Sequence, residues 1–483
     1  METIEVPLKA ELSRLSACAL LEGYAQGRFT PVDVVEEVIG NLSALQDSLN
    51  VIVTDMFDAA RASAREAAAA WRAGKPTGPL CGVPVTVKDL IYVRDVRGCA
   101  GAPALADFVP TTDSAPVERL RTAGAVLTCK TTTCESGYKL TADSPLTGIT
   151  RNPWDPSRTA GGSSGGAAAA VAAGGGPLAL GTDGVGSIRV PSSFCGVFGL
   201  KPTFGLVPRS PGFFPPSWAS LAHTGPITRT VADAALMLSV LAGHDARDAG
   251  SLPVPGRSYS GAIGAVEGLR IGYAPDLGGV PVEPVVAELV RKAVDRLVDA
   301  DSAIEIVKPV LGSGLLEEIL HPIALTEQAA AADGRDEKVL ALSEPEYRAV
   351  IERGRGYRGV DYITAGYRRG QLRENFRQLF EAYDLLITPT VAVAPFRAGT
   401  IGVDKIDGQA VDQHLGWSPF TWPMNLAGLP AATLPCGFTP DGLPVGLQLV
   451  APWLEEQQLL AFAAFIEQVL PWGDVWPDAP RRL

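Results

Sequence analysis

Residues 159–203 read TAGGSSGGAAAAVAAGGGPLALGTDGVGSIRVPSSFCGVFGLKPT, a run of glycine, alanine and serine with no charged side chain before Asp183. Such a run is either a flexible linker or a place where backbones pack almost in contact. A linker is flanked by self-contained halves, and this one is not. The β-branched runs GVPVTVK (82–88) and GAVLTCK (124–130) precede it, and LRIGYAP, IEIVKP, DLLITPT, AATLPCG and VGLQLVAP follow it. Helical patterns lie between them: TPVDVVEEVIGNL, with Thr30 as N-cap, Pro31 at the first helical position and Val35, Val38, Ile39 and Leu42 on one face; an Ala-rich segment over 58–73; and segments over 284–300 and 362–383. Alternation of strands and helices predicts an α/β fold with a large, mostly parallel sheet flanked by helices.

Length alone favours two or three domains at 483 residues. No internal repeat or long linker divides the chain, however, and strands on both sides of the 160–187 segment are needed for one sheet. The expectation is therefore a single domain over 1–483: a helical N-terminal region to about 75, a core over about 80–235, and a remainder that completes the sheet and pocket. Hydrophobic residues make up 46% of the chain and charged ones 19%, enough apolar material for a substantial core.

A net charge of −12 with no basic stripe disfavours nucleic acid and anionic membranes as partners. The first residues, METIEVPLKAELSRL, lack the basic-then-apolar order of an export signal, and no ~20-residue apolar span occurs, so the expectation is cytoplasmic. Cysteines 18, 81, 99, 129, 134, 195 and 436 are odd in number and lack ligand spacing, which reads as buried free thiols. Neither a metal nor a cofactor is expected.

Three chemistries compete for the Gly/Ala/Ser run. A phosphate loop fails, because G-x-x-x-x-G-K-[ST] and a strand followed by G-x-G-x-x-G are both absent. Gly161–Gly165 satisfies G-x-S-x-G, but the preceding ITRNPWDPSRTA carries prolines, Asn152 and Asp155 where a nucleophile elbow needs a strand. His223, His244, His321 and His414 are the histidines available to such a triad, and none has a recognisable setting. The third reading uses a lysine. A helix over 165–173, roughly 13 Å long, and a strand back over 177–182, roughly 20 Å, would bring Ser163 and Ser187 to one edge of the sheet. Lys88 ends GVPVTVK at a strand's C-terminal edge, where open α/β sheets place their sites. Burial among hydroxyls would favour its neutral, basic form. Position and chemistry permit a Ser–Ser–Lys relay; an ordinary strand-end charge and a turn serine are the bland alternative.

The motif GGSSGGAAAAVAAG…LALGTDGVGSIRVPSSFCGVFGLKPT resembles the amidase signature, and GVPVTVKD resembles that family's lysine motif. The likeness runs on in order through DSPLTGITRNPWDP, GPITRTVADAALMLSVLAGHDARD, LLITPT, FTWPMNLAGLPAATLPCGF and GLPVGLQLVAP, nearly the whole chain. It implies a single α/β/α domain and hydrolysis of C–N bonds through a serine acyl-enzyme. Ser187 would be the nucleophile, Ser163 a bridging serine after a cis peptide, and Lys88 the base. Backbone N–H groups of Gly184, Val185, Gly186 and Ser187 would form the oxyanion hole, with Thr182, Asp183 and Arg189 in support. Val185 departs from the family's usual glycine, and a β-branched residue tolerates positive φ poorly; it is expected to narrow the site.

For the substrate, the resemblance implies a small-molecule amide or carbamate. Phe213, Phe214 and Trp218 in SPGFFPPSWASLAH could wall an apolar or aryl pocket, with Gly137 and Tyr138 as further pocket candidates. Hydrophobic amides, anilides or carbamates are the favoured class. The glutaminase component of a tRNA-dependent amidotransferase complex is the enzymatic alternative, and a non-catalytic scaffold the structural one. Oligomeric state is not written in the sequence, which is compatible with a homodimer.

Overall fold

The computed structural model describes residues 11–213, 221–254, 256–261, 266, 268–300, 302–309, 311 and 314–477. Phe214 and Trp218 lie outside the described residues. Fifteen strands are described: β1 (Ile52–Asp55), β2 (Pro84–Lys88), β3 (Val126–Thr131), β4 (Asp143–Ser144), β5 (Gly148–Ile149), β6 (Leu178–Asp183), β7 (Phe198–Lys201), β8 (His223–Thr228), β9 (Ile271–Tyr273), β10 (Ile304–Ile306), β11 (Leu385–Pro389), β12 (Lys405–Ile406), β13 (Gln409–Ala410), β14 (Ala431–Phe438) and β15 (Pro444–Val450). Eleven of them form one sheet in the order β1-β3-β2-β6-β8-β7-β14-β15-β11-β9-β10, and β4–β5 and β12–β13 are separate two-stranded pieces.

The sheet is mixed, but parallel pairing is not its majority. Parallel contacts join β3, β2 and β6 on one side and β11, β9 and β10 on the other. The centre from β6 through β8, β7, β14 and β15 to β11 is antiparallel, as is the β1 edge. The sequence signal for parallel strands was their separation by helices. Here short connections also place strands such as β14 and β15 side by side as a hairpin. The N-terminal region to 75 is likewise not purely helical, since β1 pairs with β3 through Ile52 and Thr131.

Side chains alternate between two helical layers, as period-two strands require. Leu178 and Leu180 of β6 face a core shared with helices Ala115–Thr122, Val231–Leu241, Pro284–Asp299 and Glu456–Val469, whereas Ala179 faces the helices Pro31–Leu49 and Gly165–Ala172. At the other end of the sheet, Leu385 and Ile387 of β11 join the first core. Leu386 joins a third group with helices His321–Ala331, Gly359–Ala382 and Trp422–Ala427. Helix Pro31–Leu49 begins in a capping box, the Thr30 hydroxyl accepting from the Asp33 N–H while Asp33 accepts from the Thr30 N–H. Of the seven cysteines, none is in a disulfide; Cys18 is exposed, contrary to the expectation of burial, and Cys436 is partly exposed.

Helix Gly165–Ala172 explains the plainness of the opening run. All eight of its residues are buried, so it has no solvent face to carry charge. A Cβ on Gly166 would lie 2.2 Å from Thr132 Oγ1 and 2.6 Å from the Thr132 nitrogen. The helix sits on the sheet with its backbone, not with side chains. Gly166→Ala is expected to lower stability by ~1–3 kcal/mol through overpacking. Gly366→Ala, in an exposed turn of helix Gly359–Ala382 with nothing within 4 Å of the new Cβ, should be neutral or stabilising. Urea denaturation of both variants checks the contrast; equal effects would contradict it.

Candidate active site

Strands β2 and β6 are parallel neighbours in register, Val85 opposite Leu178 and Val87 opposite Leu180, so Lys88 and Asp183 end at the same edge of the sheet. The chain leaves β6 into the turn 184–188 and enters helix Arg189–Cys195. The turn 160–164, which leads into helix Gly165–Ala172, lies against it. The Ser164 N–H donates to the Ser187 carbonyl at 3.1 Å, fixing the two turns side by side. The Ser164 hydroxyl donates to the Thr182 carbonyl at 3.1 Å, tying the same turn to β6. No strand precedes Ser163, whose peptide bond to Gly162 is cis. A Cβ on Gly162 would fall 2.2 Å from the Thr141 carbonyl carbon.

Lys88 is fully buried, and its Nζ lies 2.7 Å from Ser163 Oγ, 2.8 Å from Thr182 Oγ1 and 3.3 Å from the Thr182 carbonyl oxygen. Burial lowers its pKa to about 7, against the opposing pull of Cys134 and Asp183. The Cys134 thiol is itself pushed up by burial to about 12, so it carries no charge at neutral pH. A neutral lysine has two N–H groups and one lone pair. With both N–H groups donated to Thr182, the lone pair is left for the Ser163 hydroxyl proton. The neighbouring Asp89 would favour the charged lysine, but it is paired with Lys130 at 3.1 Å, both side chains buried, and accepts from the Cys99 N–H at 3.0 Å.

Ser187 lines a cavity of about 620 Å³ together with Ser163, Thr182, Gly184 and Val185. Among the described residues its hydroxyl makes no side-chain hydrogen bond, so a relay through Ser163 needs the Ser187 hydroxyl to rotate toward it; such bonds often tighten only with substrate bound. The turn's amides divide into two sets. The Gly186 N–H donates to Asp183 Oδ1 at 2.8 Å and the Ile188 N–H to Asp183 Oδ2 at 3.2 Å. Gly186, expected in an oxyanion hole, therefore has its amide committed to Asp183. The N–H groups of Gly184, Val185 and Ser187 have no acceptor among the described residues. Positive φ falls on Gly186, at +134°, and not on Val185. Valine is accommodated one residue before the position that requires glycine, and its carbonyl accepts from Thr421 Oγ1 at 2.7 Å.

A buried ion pair stands behind this turn. Arg189 donates to Asp183 through Nε and Nη2, both at 3.0 Å, through Nη1 to the Thr421 carbonyl and Gln448 Oε1 at 2.8 Å each, and through Nη2 to Asn425 Oδ1. The Asn425 amide donates back to the Asp183 carboxylate at 2.9 Å. Burial alone would raise the Asp183 pKa; the Arg189 charge and hydrogen bonds outweigh it and hold the group well below the usual carboxylate range. Thr421, Asn425 and Gln448 escaped the sequence reading, although Gln448 is a lone polar side chain within the fully buried strand PVGLQLV.

The pocket candidates divide similarly. Gly137 has φ +69° and a Cβ there would be 3.5 Å from Ser163 Oγ. Tyr138 lines the cavity with its ring 5.0 Å from that of Tyr347, and Phe213 lines it too, packing edge-on against Tyr92 at 4.7 Å. Of the histidines, His414 reaches the cavity, and none bonds Ser163 or Ser187 among the described residues. No cluster of three His, Cys, Asp or Glu side chains suited to a metal is formed among those residues, and no helix of them is long and apolar enough to cross a membrane.

Comparison with known proteins places this geometry. The family model Amidase matches residues 33–460. An acylamidase of Rhodococcus erythropolis is 38% identical over 466 residues, covering 96% of this chain and 97% of its own. A glutamyl-tRNA(Gln) amidotransferase subunit of Synechococcus sp. (strain RCC307) is 36% identical over 484 residues, covering 94% and 97%. The crystal structure of a bacterial aryl acylamidase of the amidase signature family superposes with a TM-score of 0.90 at 29% identity, covering 98% of this chain and 100% of that one.

Breaking the buried pair leaves one charge unmatched. Asp183→Asn and Arg189→Met are each expected to cost ~3–5 kcal/mol of folding stability. Guanidinium titration measures this; a loss under ~1 kcal/mol in both would show that the pair is not needed to hold the turn.

Proposed function

The chain belongs to the amidase family and is an amide hydrolase, and from that premise we propose that it cleaves hydrophobic amides and anilides, and carbamates by the same acyl chemistry, with Ser187 as nucleophile, Ser163 as relay and Lys88 as base. The observation that carries this reading is the fully buried Lys88, its pKa lowered to about 7, within 2.7 Å of Ser163 at the edge of the cavity onto which Ser187 opens.

Neutral Lys88 takes the Ser163 hydroxyl proton as Ser163 takes that of Ser187, whose oxygen adds to the substrate carbonyl. The developing oxyanion is met by the free N–H groups of Gly184, Val185 and Ser187, each such donor being worth ~3 kcal/mol in hydrolases of this kind. The proton returns through Ser163 to the departing amine, the C–N bond breaks, and water entering the vacated space releases the acid by the reverse relay. Gly186 orients the turn through Asp183 and does not contact the oxyanion.

The preference for hydrophobic substrates rests on the cavity wall, where Leu90, Ile91, Phe213, Leu221, Leu325 and Leu415 surround the site, and on the similarity to proteins named acylamidase and aryl acylamidase. Glutamine hydrolysis within an amidotransferase is the second reading, supported by the 36% identity to the Synechococcus amidotransferase component. A panel of nitroanilide, aryl carbamate, primary amide and glutamine separates the two; turnover of glutamine alone would overturn the first.

Two further outcomes are expected. A fluorophosphonate probe should label the wild type and not Ser187→Ala; an unlabelled wild type would favour a silent scaffold. Because only neutral Lys88 accepts a proton, kcat/KM should fall as pH drops through about 7, approaching tenfold per unit below it. A profile flat from pH 5 to 8 would exclude Lys88 as the base.

A further inference from the structure

The wall of the same cavity carries ionisable side chains that the hydrolytic steps do not use, among them Arg209, Glu327, His414 and Arg358, the last paired with Asp361 at 2.7 Å. Arg209 comes from the loop after β7, and its backbone N–H donates to Asp248 Oδ2 at 2.6 Å, which fixes the residue at the cavity rim. Glu327 comes from helix His321–Ala331, whose Ala324, Leu325, Thr326 and Gln328 line the cavity beside it. Among the described residues the Arg209 guanidinium forms no ion pair within 4.0 Å and no hydrogen bond, and the Glu327 carboxyl forms neither. Both are partly buried in surroundings that are otherwise largely apolar. Ionisable groups held partly out of water without a partner are costly to the fold, and on the wall of a substrate cavity they point to a ligand.

Their chemistry defines the ligand. Arg209 is a donor only, with five N–H groups, and a carboxylate is an acceptor only. Burial raises the Glu327 pKa to about 7, while Arg209 and Arg369 pull it down. Arg209 lies in the field of Glu327 as well as of Asp248, and Arg369 in that of Glu327. Asp248 is occupied, accepting from the Arg209 and Gly250 N–H groups. A donor-only guanidinium beside a carboxyl group that accepts, and also donates when protonated, is complementary to a group that carries both a carbonyl and an N–H.

We propose that Arg209 and Glu327 form a polar anchor that holds a second, neutral amide-like group of the substrate, its carbonyl on the guanidinium and its N–H on the carboxylate, remote from the bond that Ser187 cleaves. The preferred substrates are then amides with an apolar middle and a carboxamide-type far end. This rests on the reading of Ser187 as nucleophile, and deepens it by naming specificity residues for the same site.

The test uses the full-length enzyme and nitroanilides of three acyl groups of matched length: 5-carbamoylpentanoyl, the isosteric 6-methylheptanoyl and 5-carboxypentanoyl. A parallel series carries the same termini on the amine side. The wild type should favour the carbamoyl over the isosteric methyl compound by about tenfold or more in kcat/KM in at least one series, chiefly through KM. Arg209→Met and Glu327→Leu should bring that ratio to within about twofold, with Arg209→Lys and Glu327→Gln as conservative variants should either first choice fail to fold. A wild-type ratio near one in both series overturns the anchor while leaving hydrolysis by Ser187 intact. Preference for the carboxylate over the carboxamide overturns its neutrality, and variants that keep the wild-type ratio overturn the assignment to these residues. Failure of the parent reading looks different: no anilide in either series is turned over, or Ser187→Ala still turns them over.

Discussion

The Asp183–Arg189 pair is the fixed point from which the site is built. A carboxylate at the end of a buried strand must find its partners within the protein, and here the residues that follow it supply them, through three backbone N–H groups and one guanidinium. That arrangement curls residues 184–188 around the carboxylate, turns the Gly186 amide inward, and leaves its neighbours' amides free. Arg189 in turn needs more acceptors than Asp183 can offer, and Thr421, Asn425 and Gln448 provide them. The turn is thus shaped by the requirement that buried polar groups be paired.

A second electrostatic arrangement isolates Lys88. The very next residue after Lys88, which the proposed relay needs in its neutral form, is an aspartate, and Lys130 takes Asp89 as its partner from the adjacent strand. The hydroxyls of Ser163 and Thr182 solvate Lys88 without charging it. A carboxylate in place of either hydroxyl would stabilise the ammonium form of Lys88.

Much of this was legible in the sequence because short-range physics writes it there. The N-cap at Thr30, the strand ending at Lys88, and the helix-and-strand return that brings the turn of Ser163 against that of Ser187 follow from local patterns. A Ser–Ser–Lys relay is an allowed geometry in the sequence, and the structure sets Lys88 Nζ 2.7 Å from Ser163 Oγ. Strand direction was not visible, since apolar runs separated by helices look alike whether they pair parallel or through hairpins. The sequence also cannot show which amide in DGVGS meets Asp183, or that the positive φ of this turn falls on Gly186 and not on Val185. Partners more than 230 positions away, such as Thr421 and Gln448, leave no local trace beyond a polar residue in an apolar strand.

Those distant partners set the order in which the molecule can come into being. Lys88, Ser163 and Ser187 are all synthesised in the first two-fifths of the chain, yet the turn that presents Ser187 is held by residues that leave the ribosome near its end, on helix Trp422–Ala427 and strand β15. β14 must also insert between β7 and β15 before the middle of the sheet is continuous. An emerging chain therefore carries its reactive groups for most of its synthesis without the frame that orients them. Hydrolytic capacity arrives late and all at once, as a property of the closed sheet and not of the segment that bears the signature.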